Sequence, residues 1–391
     1  MRLALISDRF PPDAGGLAQA VARIARGFVA GGDEVELFVA TPGEPGPAGV
    51  LPAGVSVQRA SAARHESDAL AELFERLLAR HALAPFDLVH GFYLVRAGFL
   101  AAYAGRLLGI PSVASARGND LDRSVFDPAR AAHVLRALRA TAVTTVSRAL
   151  ARKALALAPR ARVSVVPNGV DAGLFQPRPA DPALTVSLRD DGRAVLGFAG
   201  ELRLKKGLVP MLEAAAIVAA KRRIAVLAVG GVRAEDQGAL ELVRRRHPEL
   251  PLLLLPSRPP EELPPVYAAM DVFLHPSLRD GMPNAVLEAM ACGRPIVASR
   301  AGGIPDLLRD GREGRLVPPG DAPALAEAIC ELLDDERLRA RLGAAARERA
   351  TLAFSPAAET ARYRALYERL SARPRAARRR APGAALARAP R

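Results

Sequence analysis

The chain has 391 residues, half of them hydrophobic, which is too long for one ordinary domain and suits two domains with buried cores. No apolar run reaches the roughly 18–20 residues that span a bilayer, so the sequence predicts no membrane-spanning helix. The net charge of +14 indicates an anionic partner, which leaves nucleic acid, an anionic membrane surface and a phosphate-bearing substrate as the classes to distinguish.

The two ends of the chain and its cysteines add three expectations. Met1–Asp8 turns polar after a short apolar run, which predicts a strand rather than a signal peptide. Residues 373–391 contain seven arginines and no acid, and we expect this tail to be disordered. Cys292 and Cys330 fit neither a disulfide framework nor a metal-ligand spacing, so we expect a reducing, cytoplasmic location.

Strands and helices alternate through the first half of the chain. Arg2–Ser7 is a continuous apolar run, typical of a buried parallel strand, and helical periodicity follows over Leu17–Ala30. This alternation predicts a doubly wound parallel sheet. The predicted strands are 2–7, 34–40, 55–60, 87–90, 111–115, 142–147 and 163–166, and the predicted helices are 17–30, 67–81, 92–108, 130–139 and 148–158.

The loop between the first strand and the first helix is rich in glycine and proline. It lacks the Gly-x-Gly-x-x-Gly spacing of dinucleotide-binding loops, so a bound NAD is not indicated. The pair Gly15 and Gly16 permits a phosphate to approach the helix N-terminus, and a simple tight turn explains the pair equally well.

A second alternation begins at residue 194, after a weakly periodic stretch rich in Pro, Asp and Gly at 172–193 that we assign to a linker. The predicted strands are 194–199, 224–229, 252–255, 272–275, 296–299 and 315–317, and the predicted helices are 208–220, 235–246, 260–269, one that contains Glu288, 322–333, 336–348 and 356–370. The sequence therefore predicts two tandem Rossmann-like domains, whose facing carboxyl ends would form an interdomain cleft, a preferred ligand site.

An acidic stretch follows one strand of the second half. Asp280 lies on a Gly/Pro loop after the predicted strand 272–275, and Glu288 lies in the helix that follows. Ligands of open α/β sheets bind at this position, where the loop and helix N–H groups favour anions and a carboxylate accepts hydrogen bonds from hydroxyls. The alternative reading makes Asp280 a local helix cap and Glu288 a solvated helix residue.

A basic stretch follows the first strand of the second half. Gly200–Gly207 places Arg203, Lys205 and Lys206 at a strand-to-helix turn, where lysine charges and backbone N–H groups suit a diphosphate. A solvated loop that carries the usual basic excess of the chain is the alternative.

Taken together, these motifs resemble the retaining glycosyltransferases of family 4, the glycosyl transferases group 1, which have the GT-B fold. The resemblance covers the chain up to about Leu370. The segments that carry it are Pro12–Gly16, Val166–Asp171, Gly200–Gly207, Asp280–Pro283, Glu288–Met290, Gly302–Asp306 and Gly314–Asp321.

The resemblance implies a fold and an activity. The fold is an α/β GT-B architecture of two tandem Rossmann-like domains: an acceptor-side domain at 1–171, a linker at 172–193, a nucleotide-sugar domain at 194–355 and a crossing helix at 356–372 that returns to the first domain. The activity is transfer of a sugar from a nucleotide-diphosphate donor to a glycan, lipid-linked or small-molecule acceptor, with retention of anomeric configuration. Neither a metal nor another cofactor is expected.

The resemblance also implies roles for individual residues. Lys206 and Arg203 neutralise the donor diphosphate, and Gly16 lets the N-terminal loop close on it. Glu288 accepts hydrogen bonds from the ribose, and Asp280 lies against the transferred sugar as a candidate catalytic carboxylate. The backbone that holds sugar hydroxyls or phosphate is expected at Gly281, Met282, Pro283, Asn284 and Ala285.

Three positions depart from the family pattern. Asp280 stands where the family usually has the longer Glu, and Glu201 stands where it usually has Arg. Arg117, in Arg-Gly-Asn-Asp, stands where the family often has a His near the donor sugar. We treat Arg117 as a second candidate catalytic residue that contacts sugar or phosphate and cannot act as a neutral base; the alternative is that Gly118 and Asn119 only form a turn.

Other readings remain open from the sequence alone. A nucleotide-sugar epimerase shares the architecture, and a non-catalytic polyanion-binding protein would explain the charge, although an aromatic content of 4% without Trp provides few base-stacking platforms and no nucleic-acid partner is expected. Leu17–Ala30 and the arginine-rich tail leave open a peripheral contact with an anionic membrane. The histidines, with His90 and His275 at strand ends, show no metal-ligand spacing.

Overall fold

A computed structural model describes residues 1–13, 15–40, 54–61, 65–189 and 192–372. The chain forms two compact units, which we describe separately. Unit 1 comprises Met1–Asn168 together with the segment that begins at Pro356, and unit 2 comprises Gly169–Ser355. The tail predicted at 373–391 lies outside the described residues.

Unit 1 is built on a parallel sheet of seven strands in the order β3-β2-β1-β4-β5-β6-β7. All residues of the central strands are buried except the first of β1, as expected for strands covered on both faces. The order runs outward in both directions from β1 and β4, so their carboxyl ends form a topological switch point. The strands are β1 Arg2–Ser7, β2 Glu34–Val39, β3 Val55–Arg59, β4 Leu88–Phe92, β5 Ser112–Ala116, β6 Ala142–Thr145 and β7 Val163–Val165.

Helices cover the sheet of unit 1, and the C-terminal helix is one of them. They are α1 Gly16–Ala30, α2 Glu66–Leu83, α3 Phe99–Leu108, α4 Asn119–Asp122, α5 Pro128–Ala137, α6 Arg148–Leu157 and, from the end of the chain, α15 Pro356–Ser371. Helix α15 shares a buried core with α1, where the rings of Phe28 and Tyr367 stack with centroids 5.0 Å apart. Glu359 of α15 accepts a hydrogen bond of 2.7 Å from Arg23 of α1. The expected return of the last helix to the N-terminal domain is therefore confirmed.

The segment after β4 differs from the prediction. We expected a helix to begin soon after Gly91, whereas a π-helical turn occupies Leu94–Gly98 and α3 begins at Phe99. A side chain at Gly91 would overlap the carbonyl of Ala97, so the glycine is what allows this turn to pack against the strand. Tyr93, which joins strand and turn, has a positive φ of 88°.

Unit 2 repeats the same topology with six parallel strands in the order β10-β9-β8-β11-β12-β13. Its switch point lies between β8 and β11. The strands are β8 Ala194–Ala199, β9 Ile224–Val229, β10 Leu252–Leu255, β11 Val272–His275, β12 Ile296–Ser299 and β13 Arg315–Val317. Two doubly wound parallel sheets in tandem confirm the predicted α/β fold class.

The helices of unit 2 include one that falls in the stretch we expected to be a linker. Helix α7 lies within the stretch 172–193 and buries Leu184 and Leu188. The helices are α7 Pro182–Arg189, α8 Leu208–Ala219, α9 Gln237–Arg246, α10 Leu263–Ala268, α11 Asn284–Ala291, α12 Ile304–Leu307, α13 Ala322–Asp334 and α14 Glu336–Ala353.

Candidate functional site

The basic and acidic stretches of unit 2 meet at the switch point of its sheet. Strand β8 leads into Gly200–Gly207 and β11 leads into the loop that carries Asp280, and the two strands are hydrogen-bonded neighbours. The N–H of Leu278 donates to the carbonyl of Lys205 over 2.9 Å. Gly207 adopts a φ of 82° and lies so close to the carbonyl of Pro276 that a side chain would overlap it. Two segments distant in sequence therefore form one surface.

Asp280 and Lys206 form an ion pair at the centre of this surface. The Lys206 Nζ donates to Oδ2 of Asp280, and Nε2 of His275 lies 3.3 Å from the same oxygen. His275 Nε2 is also 3.1 Å from the hydroxyl of Ser277. Behind Asp280, its own carbonyl accepts the N–H of Gly303 over 3.0 Å. The carboxylate is thus held from its side chain and from its backbone.

Asp280 remains ionised and His275 remains neutral in this arrangement. Burial acts to raise the pKa of Asp280, but the Lys206 charge and the His275 hydrogen bond outweigh it and hold the pKa well below its usual range. Burial lowers the pKa of His275 below its usual value, although Asp280 acts in the opposite direction. A neutral imidazole that donates to a carboxylate follows from these two directions.

Lys205 is a further candidate that the sequence singled out only as part of a basic motif. Burial, together with the charges of Lys206 and Arg203, lowers the pKa of Lys205 to about 8. Since burial is the largest cause and the neighbouring cations add to it, an anion bound beside Lys205 would favour its charged form. In the sequence, a run of cations before a glycine marked this loop. The structure adds that Lys205 is partly buried beside those cations.

The guanidinium of Arg203 lies near two acidic side chains. Its guanidinium lies 3.5 Å from Glu201 and 3.8 Å from Glu235. Arg233, which follows β9, lies 2.9 Å from Glu201 and 3.3 Å from Glu235. The acid that replaces the family's usual arginine is therefore neutralised by two other arginines. Arg233 was not predicted from the sequence, because nothing local links it to position 201.

Glu288 is positioned by a buried tyrosine. It lies on α11, and the hydroxyl of Tyr267 on α10 donates to its Oε2 over 2.7 Å. Burial, followed by the Glu288 charge, raises the pKa of Tyr267 well above its usual value, so the phenol stays protonated and remains a donor. Tyr267 was also missed, since a tyrosine in a short apolar helix gives no sign of its partner.

The remaining candidates of unit 2 lie between the two acids. Gly281, Met282 and Pro283 are buried in the loop, and Asn284 and Ala285 open α11. The first turn of a helix presents N–H groups that favour anions and hydroxyl oxygens. The structure thus brings these candidates into one continuous segment with Asp280 and Glu288.

Gly16 and Arg117 belong to unit 1. Gly16 is the first residue of α1 and follows Gly15, which has a φ of 120°. Arg117 follows β5 at the carboxyl edge of the sheet, in a loop organised by Asp120. The fully buried carboxylate of Asp120 accepts N–H groups from both sides, at 2.8 Å from Gly118 and 3.3 Å from Leu94.

His90 is a structural residue in this arrangement. It is completely buried, with Nδ1 2.5 Å from the hydroxyl of Tyr367 and Nε2 2.7 Å from that of Ser115. Burial, together with the Arg117 charge, lowers the pKa of His90 well below its usual value. The neutral ring therefore ties the sheet of unit 1 to α15.

Two features are absent from the described residues, a metal-binding cluster and a membrane-spanning helix. Over the described ranges, no group of three or more His, Cys, Asp or Glu side chains is arranged to hold a metal ion. Among the helices that the structure describes, none combines the length and the apolar character needed to cross a membrane.

Comparison with known proteins is consistent across the chain. Residues 14–174 match the family model described as Glycosyltransferase Family 4, and residues 193–335 match Glycosyl transferases group 1. A D-inositol 3-phosphate glycosyltransferase of Thermobispora bispora is 31% identical over 91% of this chain and 92% of its own. The protein of the same name from Corynebacterium jeikeium is 35% identical, over 53% of this chain and 52% of its own.

Solved structures share the architecture. Sucrose-phosphate synthase from Thermosynechococcus elongatus has a TM-score of 0.79 at 24% identity, covering 94% of this chain and 98% of its own. Anabaena HepE in complex with UDP has a TM-score of 0.76 at 21% identity, covering 94% of this chain and 100% of its own. The chain belongs to glycosyltransferase family 4, the glycosyl transferases group 1, and is a glycosyltransferase with the GT-B fold.

Proposed function

We propose that the protein transfers a sugar from a nucleotide-diphosphate-sugar donor to a hydroxyl acceptor, with retention of anomeric configuration and without a metal ion. The observation that carries the proposal is the cluster of Lys205, Lys206 and Asp280 at the switch point of unit 2. Cations and a carboxylate at one sheet edge match the two ends of such a donor, which are an anionic diphosphate and a hydroxylated sugar.

The cations suit the leaving group. Negative charge builds on the diphosphate as its bond to the anomeric carbon breaks, and fixed positive groups lower the free energy of that state. Lys205 and Lys206 supply this charge from side chains, with Arg203 nearby, which is the role that a divalent metal has in other transferases. The excess of positive charge around Lys205 supports this assignment.

The two acids suit the rest of the donor. Asp280, ionised and partly buried, is placed to accept a sugar hydroxyl or to stabilise positive charge at the anomeric carbon. Glu288, oriented by Tyr267, is placed to accept the hydroxyls of a ribose. Backbone N–H groups from Gly281 to Ala285 would hold the remaining oxygens, and Gly16 of unit 1 stays a predicted phosphate contact.

The donor and acceptor classes come from the relatives and are proposals for this chain. Structures of HepE hold UDP and UDP-glucose, and the curated relatives are named for D-inositol 3-phosphate. Nucleoside diphosphates and nucleotide sugars, with inositol phosphates as acceptors, are therefore the first compounds to test. A cytoplasmic location and peripheral contact with an anionic membrane also remain proposals, and co-sedimentation with anionic and neutral liposomes tests the second.

A thermal-shift panel of nucleotides and nucleotide sugars, followed by turnover assays with and without EDTA, tests the proposal. We expect one nucleotide series to stabilise the protein, and Lys206→Ala and Glu288→Ala to abolish transfer. EDTA should leave the rate unchanged, and the product should keep the anomeric configuration of the donor. A broad panel with neither binding nor turnover would overturn the assignment.

Two alternative activities are not favoured. An epimerase would isomerise the nucleotide sugar when no acceptor is present, so product analysis without acceptor distinguishes it from a transferase. A polyanion-binding protein would retain nucleic-acid binding at physiological salt after residues 373–391 are deleted. We expect neither result, because the chain belongs to a family of glycosyltransferases.

A further inference from the structure

Arg117 differs from two other arginines of unit 1 because it has no counterion among the residues that the structure describes. The side chain of Arg23 pairs with Glu359 at 2.7 Å, and that of Arg59 pairs with Asp13 at 3.2 Å. Arg117 forms no such pair with any residue that the structure describes, and its Nη1 is buried without a hydrogen-bond partner.

Asp120, the acidic residue nearest to Arg117 in the sequence, binds backbone groups rather than the Arg117 side chain. Asp120 accepts the backbone N–H groups of Leu94, Gly118 and Leu121 and that of Arg117 itself. These bonds occupy the acceptor positions of its carboxylate, since an ionised carboxylate has about four. Asp120 therefore shapes the loop and leaves the Arg117 guanidinium uncompensated.

Two neutral groups feel the charge of Arg117. This charge acts on His90, whose pKa is lowered mainly by burial, and on Tyr363, whose pKa is raised mainly by burial. A guanidinium that is partly removed from water, with no ion pair among the described residues, raises the free energy of the unliganded protein. An anionic ligand would remove that cost.

We propose that Arg117 is a specificity residue for an acidic group, a carboxylate or a phosphate, on the part of the substrate that unit 1 binds. The proposal rests on the glycosyl transfer proposed above and narrows its substrates to those with an acid. The planar guanidinium forms two parallel hydrogen bonds to either oxyanion, a geometry that a neutral hydroxymethyl or hydroxyl group lacks. The acidic group that Arg117 would bind belongs either to a uronic acid in the donor sugar or to a phosphate on the acceptor.

The experiment compares matched pairs of ligands that differ only in the acid. The donor pair is the glucose and glucuronic acid derivative of the nucleotide that the panel selects, and the acceptor pair is inositol and inositol 3-phosphate. Titration calorimetry and turnover assays are carried out with the wild type, Arg117→Gln and Arg117→Lys. For each pair they give the ratio of affinity and of rate between the acidic and the neutral member. We expect Arg117→Gln to weaken binding of the acidic member of one pair about 10- to 100-fold and to leave binding of its neutral partner within about twofold. Arg117→Lys should retain part of the preference, because it keeps the charge without the fork.

The control is Arg123→Gln, which removes an exposed arginine from the same region and changes the net charge equally. It should leave both preferences as in the wild type, and melting temperatures without ligand establish that each variant is folded. Equal effects of Arg117→Gln on the acidic and neutral members, or a wild type that prefers neither acid, would overturn the proposal.

A separate readout distinguishes this proposal from the proposed function. Inorganic phosphate and glucuronate should raise the melting temperature of the wild type and of Arg123→Gln, and raise that of Arg117→Gln less. If that difference is found in a protein that binds no nucleotide sugar, glycosyl transfer fails and the anion site stands. If nucleotide sugars bind and no anion effect depends on Arg117, the anion site fails alone.

Discussion

Asp280 and Glu288 belong to one motif but are held by different chemistry. Asp280 shares its carboxylate between a cation and a neutral imidazole, whereas Glu288 accepts from the phenol of Tyr267. The first acid is therefore electrostatically fixed, and the second accepts a hydrogen bond from a neutral donor whose removal leaves its charge unchanged. Tyr267 provides the more selective test of how orientation affects donor binding.

Tyr267→Phe should raise the KM for the donor several-fold and leave kcat within about twofold. Removing one hydrogen bond to a charged group costs about 1.5–3 kcal/mol at most, and the acid itself remains. Steady-state kinetics with the preferred donor measure the effect. Tyr103→Phe, which removes a tyrosine hydroxyl from α3 of unit 1, should leave the KM for the donor unchanged. A large loss of kcat with unchanged KM in Tyr267→Phe would contradict the assignment of Glu288 to the ribose.

Lys205 should make donor binding depend on pH. Its pKa of about 8 means that the free protein loses this charge as pH rises through about 8, and a bound diphosphate favours the protonated form. Donor affinity should therefore be highest below that pH, fall above it, and be accompanied by proton uptake near pH 8. Calorimetry in buffers of different ionisation enthalpy measures both effects.

Lys205→Arg is the control for this pH dependence. The guanidinium stays charged across the same interval, so affinity should become flat between about pH 7 and pH 9. A wild type whose donor affinity does not change across that interval would show that Lys205 lies away from the diphosphate.

At the scale of single residues, the sequence predicted the candidate residues better than it predicted the contacts between them. Lys206 and Asp280 were both named as candidates, yet their pairing was not predicted, because it depends on two strands becoming neighbours. His275, Tyr267 and Arg233 act on candidate residues through contacts that no local pattern encodes. Their roles became visible only when α10, β9 and β11 were placed around the loops.

The elements themselves were largely predictable. Parallel strands in unit 1 and unit 2 are short apolar runs bounded by Gly, Pro and polar residues, and each predicted strand agrees with the observed one to within two residues at either end. Helix α7 was missed because its proline-rich surroundings hid a short periodic segment. The π-helical turn before α3 was missed because it depends on the close approach of Gly91 to Ala97, a tertiary contact.

Gly207 tests how the loop between β8 and α8 is built. Gly207→Ala should destabilise the protein by more than the roughly 1–2 kcal/mol of a positive φ alone, because the new methyl group overlaps the Pro276 carbonyl. It should also weaken donor binding, since relief of the overlap displaces the loop that carries Lys206. Chemical denaturation and calorimetry measure the two effects.

Gly231→Ala is the matched control, since Gly231 has a φ of 71° and no atom within 4 Å of the position of a new side chain. It should show the conformational cost alone and leave donor affinity nearly unchanged. Equal destabilisation of the two variants would mean that the contact with Pro276 is easily relieved.

At the scale of the whole molecule, unit 1 depends on the end of the chain. Tyr363, Leu366, Tyr367 and Leu370 of α15 are buried in its core. Truncation after Ser355 should remove hydrogen-exchange protection from residues 1–168 and leave that of unit 2 largely intact. Loss of four large buried side chains, each worth about 1.5–3 kcal/mol of burial, exceeds what a marginally stable domain tolerates.

Truncation after Ala372 is the control, because it keeps α15 whole. Protection in residues 1–168 should match that of the full chain, as measured by hydrogen exchange with mass spectrometry. Retained protection after truncation at Ser355 would show that unit 1 is stable without its last helix.

The position of α15 also bears on how the protein is made. A ribosome releases the strands of unit 1 first, yet the helix that covers α1 is among the last described segments to emerge. Unit 2, whose sequence lies entirely between these pieces, has the opportunity to fold while unit 1 still exposes an apolar face. Nascent chains that are stalled before Pro356 should therefore engage chaperones through unit 1. Most of unit 1 is synthesised before unit 2, yet unit 1 would be the second of the two to complete its fold.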